Sequence, residues 1–346
     1  MPYLLLDLGM HCHVLVEGLG WSPDLYQGLE TPALDTLIAR GRRDRSPAIA
    51  PERWLIERFG VARQHDWPAA PFRLLADGGT PASQAWMCAD PVHLRFEQNR
   101  LVLIDCTQFC IDAEEAAALV ASINGHFGER LAIHAPQPER WYALLASCPQ
   151  METTPMRCAR GASVRERPPQ GADAMRWQAL SNELQMLLHD HSVNAAREAR
   201  GDLPVNSLWL WGAGTRTPPA ARPFQFVTAD DALARGLALA SGAQAGSLPG
   251  GAGAWLPTTD QAGTALAVLD ALAAPADYRQ ADAWREVLVG LEREWFSPLL
   301  EALRAKRIGM LTLHLLCPEQ VIEVEVAAAD LRCFWRRRRP LAAWLI

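Results

Sequence analysis

Apolar positions along this chain recur with two different periods, and the switches between them outline its elements. Residues 3–6 (YLLL) run straight into Asp7 and read as a buried strand. TPALDTLIARG (31–41) places Leu34, Leu37 and Ile38 on one helical face. Thr31 suits the cap of that helix, Pro32 its first position, and Gly41 its end. PERWLIERF from Pro51 predicts a second helix that stops at Gly60. Strand, loop, helix and helix make an α/β opening.

The character then changes. Residues 62–84 are rich in Pro, Gly and Ala, with DGGTP the plainest turn signal, and a boundary is expected there. VHLRF (92–96) and RLVLID (100–105) predict a hairpin, 113–127 an alanine-rich helix, and RWYALLA (140–146) another strand. Residues 155–172 read as a polar loop, and a long helix is expected from about 173 into the 190s. SLWLW (207–211) is bulky on both faces, which predicts a central strand of the main sheet with Trp209 or Trp211 buried. Further on, FQFV (224–227) reads as a strand and ADDALARGLALASG as a helix. Residues 262–273 and 280–306 read as helices, and GMLTLHLL and VIEVEV as strands. The expected organisation is an α/β core from 1–84 and 186–346, an inserted α+β module over 85–172, and a connecting helix at 173–185.

Composition narrows the function classes. A net charge of −6 gives no general attraction for a polyanion, so nucleic-acid binding is not expected. The eight cysteines show no CxxC pair and read as reduced thiols of a cytoplasmic protein. MPYLLLDLGMHCH is not read as a signal peptide, and no uncharged apolar run approaches the roughly 20 residues that span a bilayer. Four arginines, Arg336 to Arg339, sit beside aromatic residues and read as a solvated edge or a contact for an anionic membrane or partner.

The stretch HDHSVNAAREARGDLPVNSLWLWGAGT (189–215) concentrates the candidate chemistry. His189 and His191 are two apart, so on one helix they point in nearly opposite directions. Metal-binding helices space their histidines by three or four. A helix break near Ser192, with His189, His191 and Asn194 bonding the backbone around it, is the plainer expectation. After the apolar run, Gly212, Gly214 and Thr215 could present amides and a hydroxyl to an anion, with Arg216 beside them. Asn194, Asn206, Arg197 and Arg200 complete the anion-binding candidates, against a reading of the arginines as surface salt bridges. Asp7 is either a helix or turn cap or a metal ligand. His93 in ADPVHL (89–94) either faces a cleft or bonds within its strand.

These residues carry a resemblance. The strand ending at Asp7 followed by ETPALDTLIARG, then HSVNAAREARGDLPVNSLWLWGAGT, then ARGLALASG (234–242), resemble in order the cofactor-independent, archaeal-type phosphoglycerate mutases of the alkaline phosphatase superfamily. ADPVHL, the His-x-His and NSLW-WG are also similar to a bacterial group of RpfE-type regulatory proteins. The resemblance implies a three-layer α/β sandwich with an inserted α+β module. It also implies phosphoryl transfer between two metal ions, which needs six or so Asp and His ligands. After His191 the only histidine is His314, no Asp is followed by His beyond 190, and 45–60 lacks a Gly-Ser-Asp/Glu nucleophile pattern. The expectation is therefore a degenerate mutase-like protein with no catalytic residue, metal or cofactor. It would bind a small phosphorylated or carboxylated ligand, or a protein partner, in a regulatory role. An active 2,3-bisphosphoglycerate-independent phosphoglycerate mutase is the alternative.

Overall fold

A computed structural model describes residues 9–97, 99–256 and 263–345. Its contacts form two compact units, one of Met1–Pro51 with Arg222–Ile346 and one of Glu52–Ala221. The chain enters the first with β1 (His11–Glu17), α1 (Pro32–Arg40) and β2 (Arg42–Pro47). From α2 (Pro51–Arg58) it builds the second with α3 (Ala70–Ala76), β3 (Ala85–Glu97), β4 (Arg100–Asp105), α4 (Ala113–Phe127), β5 (Ala132–Gln137) and β6 (Arg140–Leu145). That unit continues with β7 (Met151–Glu152), α5 (Met156–Ala159), β8 (Gln170–Gly171), α6 (Ala174–His189), α7 (Ser192–Arg200) and β9 (Ser207–Thr215). The chain returns to the first unit with β10 (Phe226–Thr228), α8 (Ala232–Ala240), β11 (Gln244–Gly246), α9 (Ala252–Trp255) and β12 (Thr264–Leu269). It finishes there with α10 (Ala273–Asp277), α11 (Ala281–Leu291), α12 (Ser297–Arg304), β13 (Met310–Leu316), β14 (Gln320–Ala327) and α13 (Ala342–Leu345).

The first unit is a seven-stranded sheet in the order β11-β10-β12-β1-β13-β14-β2. Its first five strands in that order are parallel, and β14 and β2 add antiparallel pairs. The crossover through α8 steps one way along the sheet and that through α10 to α12 the other. Right-handed crossovers therefore place these helices on opposite faces. One face carries Cys12, Val14 and Val16 of β1 into a core with Leu34 and Leu37 of α1, Trp284 of α11 and Leu299 of α12. The other face carries the alternate residues His11, His13 and Leu15. The expected α/β sandwich holds.

The second unit is built on an antiparallel sheet, β4-β3-β6-β5, with β9 paired to β3. The hairpin, the 113–127 helix and the 140–146 strand all form. Asp112 and Glu115 close a capping box at the start of α4. The segment 85–172, expected as the inserted module, lies wholly inside this unit, and α6, α7 and β9 belong to it as well.

Two expectations are corrected. SLWLW is not a central strand of the main sheet: β9 lies in the second unit and pairs with β3 alone among the described residues. Its two apolar faces arise because α3 and α6 both pack against it. Trp211 is buried there, with Nε1 donating to Asp90, and Trp209 Nε1 donates to the Thr154 carbonyl. Residues 264–269 are a strand and not a helix, seated between β1 and β10 in register with both. A short, alanine-rich apolar run reads the same way as a buried helix turn or a buried strand. The first described strand is HCHVLVE, and RRDRSP is also a strand. The strand expected over 3–6 lies outside the described residues. No helix among the described residues is long and apolar enough to cross a membrane.

Candidate functional site

The helix does break inside His189–Ser192. α6 ends at His189, which is exposed, and α7 begins at Ser192. His191 caps α7: its Nδ1 accepts from the Val193 amide at 3.2 Å, which leaves the proton on Nε2, 2.8 Å from Ser122 Oγ. Buried Asn194 donates to the Leu188 and Val205 carbonyls at 2.7 and 2.8 Å and accepts from the Val205 amide at 2.8 Å. It pins the end of one helix to the approach of β9. Asn206 does the same for β3, accepting from the Leu94 amide and donating to its carbonyl.

Arg197 is a buried pin as well, 2% exposed. Its Nε donates to the Leu203 carbonyl at 2.8 Å, Nη2 to the Cys110 carbonyl at 2.7 Å, and Nη1 pairs with Glu115. Exposed Arg200 shares Glu115 and also reaches Asp202. The glycines expected as a loop are strand. Gly212 donates to Thr153 Oγ1 at 3.0 Å and Thr215 to Gln64 Oε1 at 3.1 Å. Gly212 (φ 65°) and Gly214 let Ala69 and Pro68 close in, since added Cβ atoms would lie 2.9 and 2.4 Å from those side chains. Arg216 follows the strand and is exposed. Nine strand residues span about 30 Å. The Asn194–Arg197–Arg200 group and the Gly212–Arg216 group therefore stand at opposite ends of β9, too far apart to hold one small anion. His93 donates from Nδ1 to the Pro204 carbonyl at 2.9 Å, and burial lowers its pKa. Asp7 lies outside the described residues.

A polar row on the main sheet went unread in the sequence. Residues two apart on a strand share a face. HCH in β1, TLH in β13 and EVE in β14 therefore line up His11, His13, Thr312, His314, Glu323 and Glu325. His11 Nε2 lies 2.8 Å from Thr312 Oγ1, and His13 Nδ1 lies 3.0 Å from His314 Nε2. The His11 and His13 rings are 4.0 Å apart, and His13 stacks on His314 at 5.3 Å. Glu323 Oε2 lies 3.0 Å from Nδ1 of fully buried His314. That distance suits an ion pair when His314 is protonated, and His13 and His314 share one hydrogen bond whose direction follows the tautomer. Burial is the main cause that lowers the His11 pKa. The row can hold and orient protons. The period-two pattern was legible, but with YLLL taken as the opening strand, HCH fell in the loop expected after it.

The buried acids are dispersed. Glu292 caps α1 with both oxygens, 2.6 and 3.1 Å from the Ala33 and Leu34 amides, and burial raises its pKa. Asp66 is held by Thr153 and the Trp67 amide, Asp90 by Arg73 and Trp211, and Asp105 by Arg160 and Thr107. Glu17 is buried at the carboxyl end of β1, the edge where open α/β sheets bind ligands. Among the described residues no three His, Cys, Asp or Glu side chains gather in a way that could hold a metal ion.

Asp35 gives a pH signature. Burial raises its pKa from 3.8 to about 6, with Glu292 adding to the shift and Thr31 and Arg338 opposing it. The folded state therefore binds this proton more tightly than the unfolded one, and stability falls as pH rises from about 4 through about 6. Asp35 is only partly buried, so screening reduces the effect. Asp35→Asn is expected to stabilise the protein by about 1 kcal/mol at pH 8. Urea melts should show that gain shrinking below pH 6 and absent below about pH 4.

No family model matches the chain. It is 28% identical over 192 residues to a probable 2,3-bisphosphoglycerate-independent phosphoglycerate mutase of Geobacter sulfurreducens, covering 53% of this chain and 47% of that protein. To the 2,3-bisphosphoglycerate-independent phosphoglycerate mutase of Methanosarcina acetivorans it is 26% identical over 277 residues, 74% of this chain and 67% of that one. The match thus spans about half of the Geobacter relative. Among solved structures, the cofactor-independent phosphoglycerate mutase of Thermoplasma acidophilum superposes with a TM-score of 0.52 at 17% identity, covering 97% of this chain and 94% of that one. A Pyrococcus horikoshii protein gives 0.55 at 15% identity, over 93% of this chain and 88% of that one. The fold is that of the cofactor-independent phosphoglycerate mutases, and the sequence relatives carry the same name.

Proposed function

We propose that this chain keeps the phosphoglycerate mutase fold without two-metal phosphoryl transfer, and serves as a cytoplasmic ligand- or partner-binding regulatory protein like the RpfE-type group it resembles. One observation carries the reading. The buried acids Asp66, Asp90, Asp105 and Glu292 are each committed to a different arginine, hydroxyl or helix end. A di-metal site needs such groups converging on shared ions. The natural ligand class is a small phosphorylated or carboxylated molecule, the chemistry that the fold's relatives are named for.

The test combines metal analysis of the purified protein with a mutase assay under added manganese or zinc. Well under one equivalent of bound metal and background turnover are expected. Two equivalents, with turnover near ~10 per second, would establish an active mutase instead.

A further inference from the structure

The first unit brings together two basic segments that lie almost 300 residues apart in sequence, Arg42 to Arg45 of β2 and Arg336 to Arg339. Trp344 of α13 gathers them. The Arg43 guanidinium sits 4.5 Å over its ring and that of Arg339 5.6 Å over it, while Arg45 donates to its carbonyl at 3.0 Å. Arg336 bonds the Arg40 carbonyl. None of Arg42, Arg43, Arg45 or Arg336 to Arg339 forms an ion pair with a carboxylate among the described residues. The acids nearby are Asp44, which bonds the Arg45 amide, Asp35 within reach of Arg338, and Glu325 and Glu323 of β14, opposite Arg42 and Asp44 in the strand register. Partial burial, and then the neighbouring Arg336, Arg45 and Arg339, lower the Arg43 pKa, so these cations repel one another. Next to them Phe334 and Trp335 stand 78% and 66% exposed, edge to face with ring centres 5.4 Å apart.

We propose that this patch docks the protein on an anionic lipid surface, with the arginines against the headgroups and Phe334 and Trp335 at the headgroup–acyl boundary. Arginines on an edge strand such as β2 also block stray strand pairing, but that role asks nothing of two exposed aromatics. Juxtamembrane clusters of four to eight cations beside aromatic anchors are a combination that anionic leaflets attract. A long polyanion such as RNA suits the patch less. The chain as a whole carries −6, which repels an extended polyanion, whereas a bilayer need touch only one face. The edge-to-face pair also forms an apolar wedge and not the open ring platform on which bases stack.

The experiment is co-sedimentation of the full chain with vesicles of phosphatidylcholine mixed with phosphatidylserine, and with phosphatidylcholine alone. Partitioning to the mixed vesicles is expected, weakening as salt rises from about 0.1 M to about 1 M. Arg337→Ala with Arg338→Ala should lower the partition coefficient roughly thirty-fold. Both side chains are exposed, so an unchanged melting curve confirms that the fold is intact. Trp335→Ala should remove the salt-resistant remainder. The proposal fails if the chain stays in the supernatant, if neutral vesicles bind it equally, or if a single-stranded oligonucleotide captures it more tightly at the same salt.

Discussion

Arg197→Ala is expected to destabilise the 52–221 unit by about 3–5 kcal/mol, the cost of breaking a buried ion pair from one side. Three separate bonds end in this guanidinium: the Leu203 and Cys110 carbonyls and the Glu115 carboxylate. Glu115 keeps Arg200 as a partner, but the Leu203 and Cys110 carbonyls lose theirs and the side chain leaves a cavity. For a unit of this size the melting midpoint should drop by roughly 10 °C. Arg197→Lys should recover only a minor part, because a single ammonium cannot address three acceptors in a plane. If Arg197 were instead a ligand-reading residue, its replacement would leave the melting curve in place and change only binding. A thermal melt monitored by circular dichroism decides between them.

Asp90→Ala should cost a similar ~3–5 kcal/mol, for a different reason. Asp90 Oδ2 accepts from Arg73 at 2.8 Å and from the Trp211 indole at 2.8 Å, and both members of the ion pair are shielded from solvent. Burial alone would lower the Arg73 pKa. The adjacent Asp90, helped by Cys88 and Tyr142, outweighs this, and the value rises. Without Asp90 the guanidinium is a buried charge with no counter-ion. Replacing both partners by apolar residues of similar volume, Arg73→Met with Asp90→Leu, should recover most of the loss. Urea denaturation of the single and double variants measures this. Equal destabilisation in both would mean that the packing of Trp211, and not the charge, is what matters here.

Much of the chain could be read locally because local physics determined it. α1 ends where Pro32 and Gly41 say it should, α4 spans the run that follows its capping box, and the 92–105 hairpin forms where apolar and polar residues alternate. The break between His189 and Ser192 follows from spacing alone. Three-dimensional neighbours decided the rest. TALAVL became a strand because β1 and β10 bury it on both sides, which its composition could not reveal. SLWLW is apolar on two faces in either sheet, so only its pairing with β3 shows which unit it serves. Gly212 and Gly214 suggested a ligand loop, but their missing side chains make room for Ala69 and Pro68. Arg197 is as basic in sequence as an exposed arginine, and its burial against Glu115 shows only in the structure. Period and capping are written in neighbouring residues, so the sequence determined the elements that carry those signals. Which charges are neutralised, and which are left facing outward like those around Trp344, depends on residues hundreds of positions apart, and only the tertiary structure decided it.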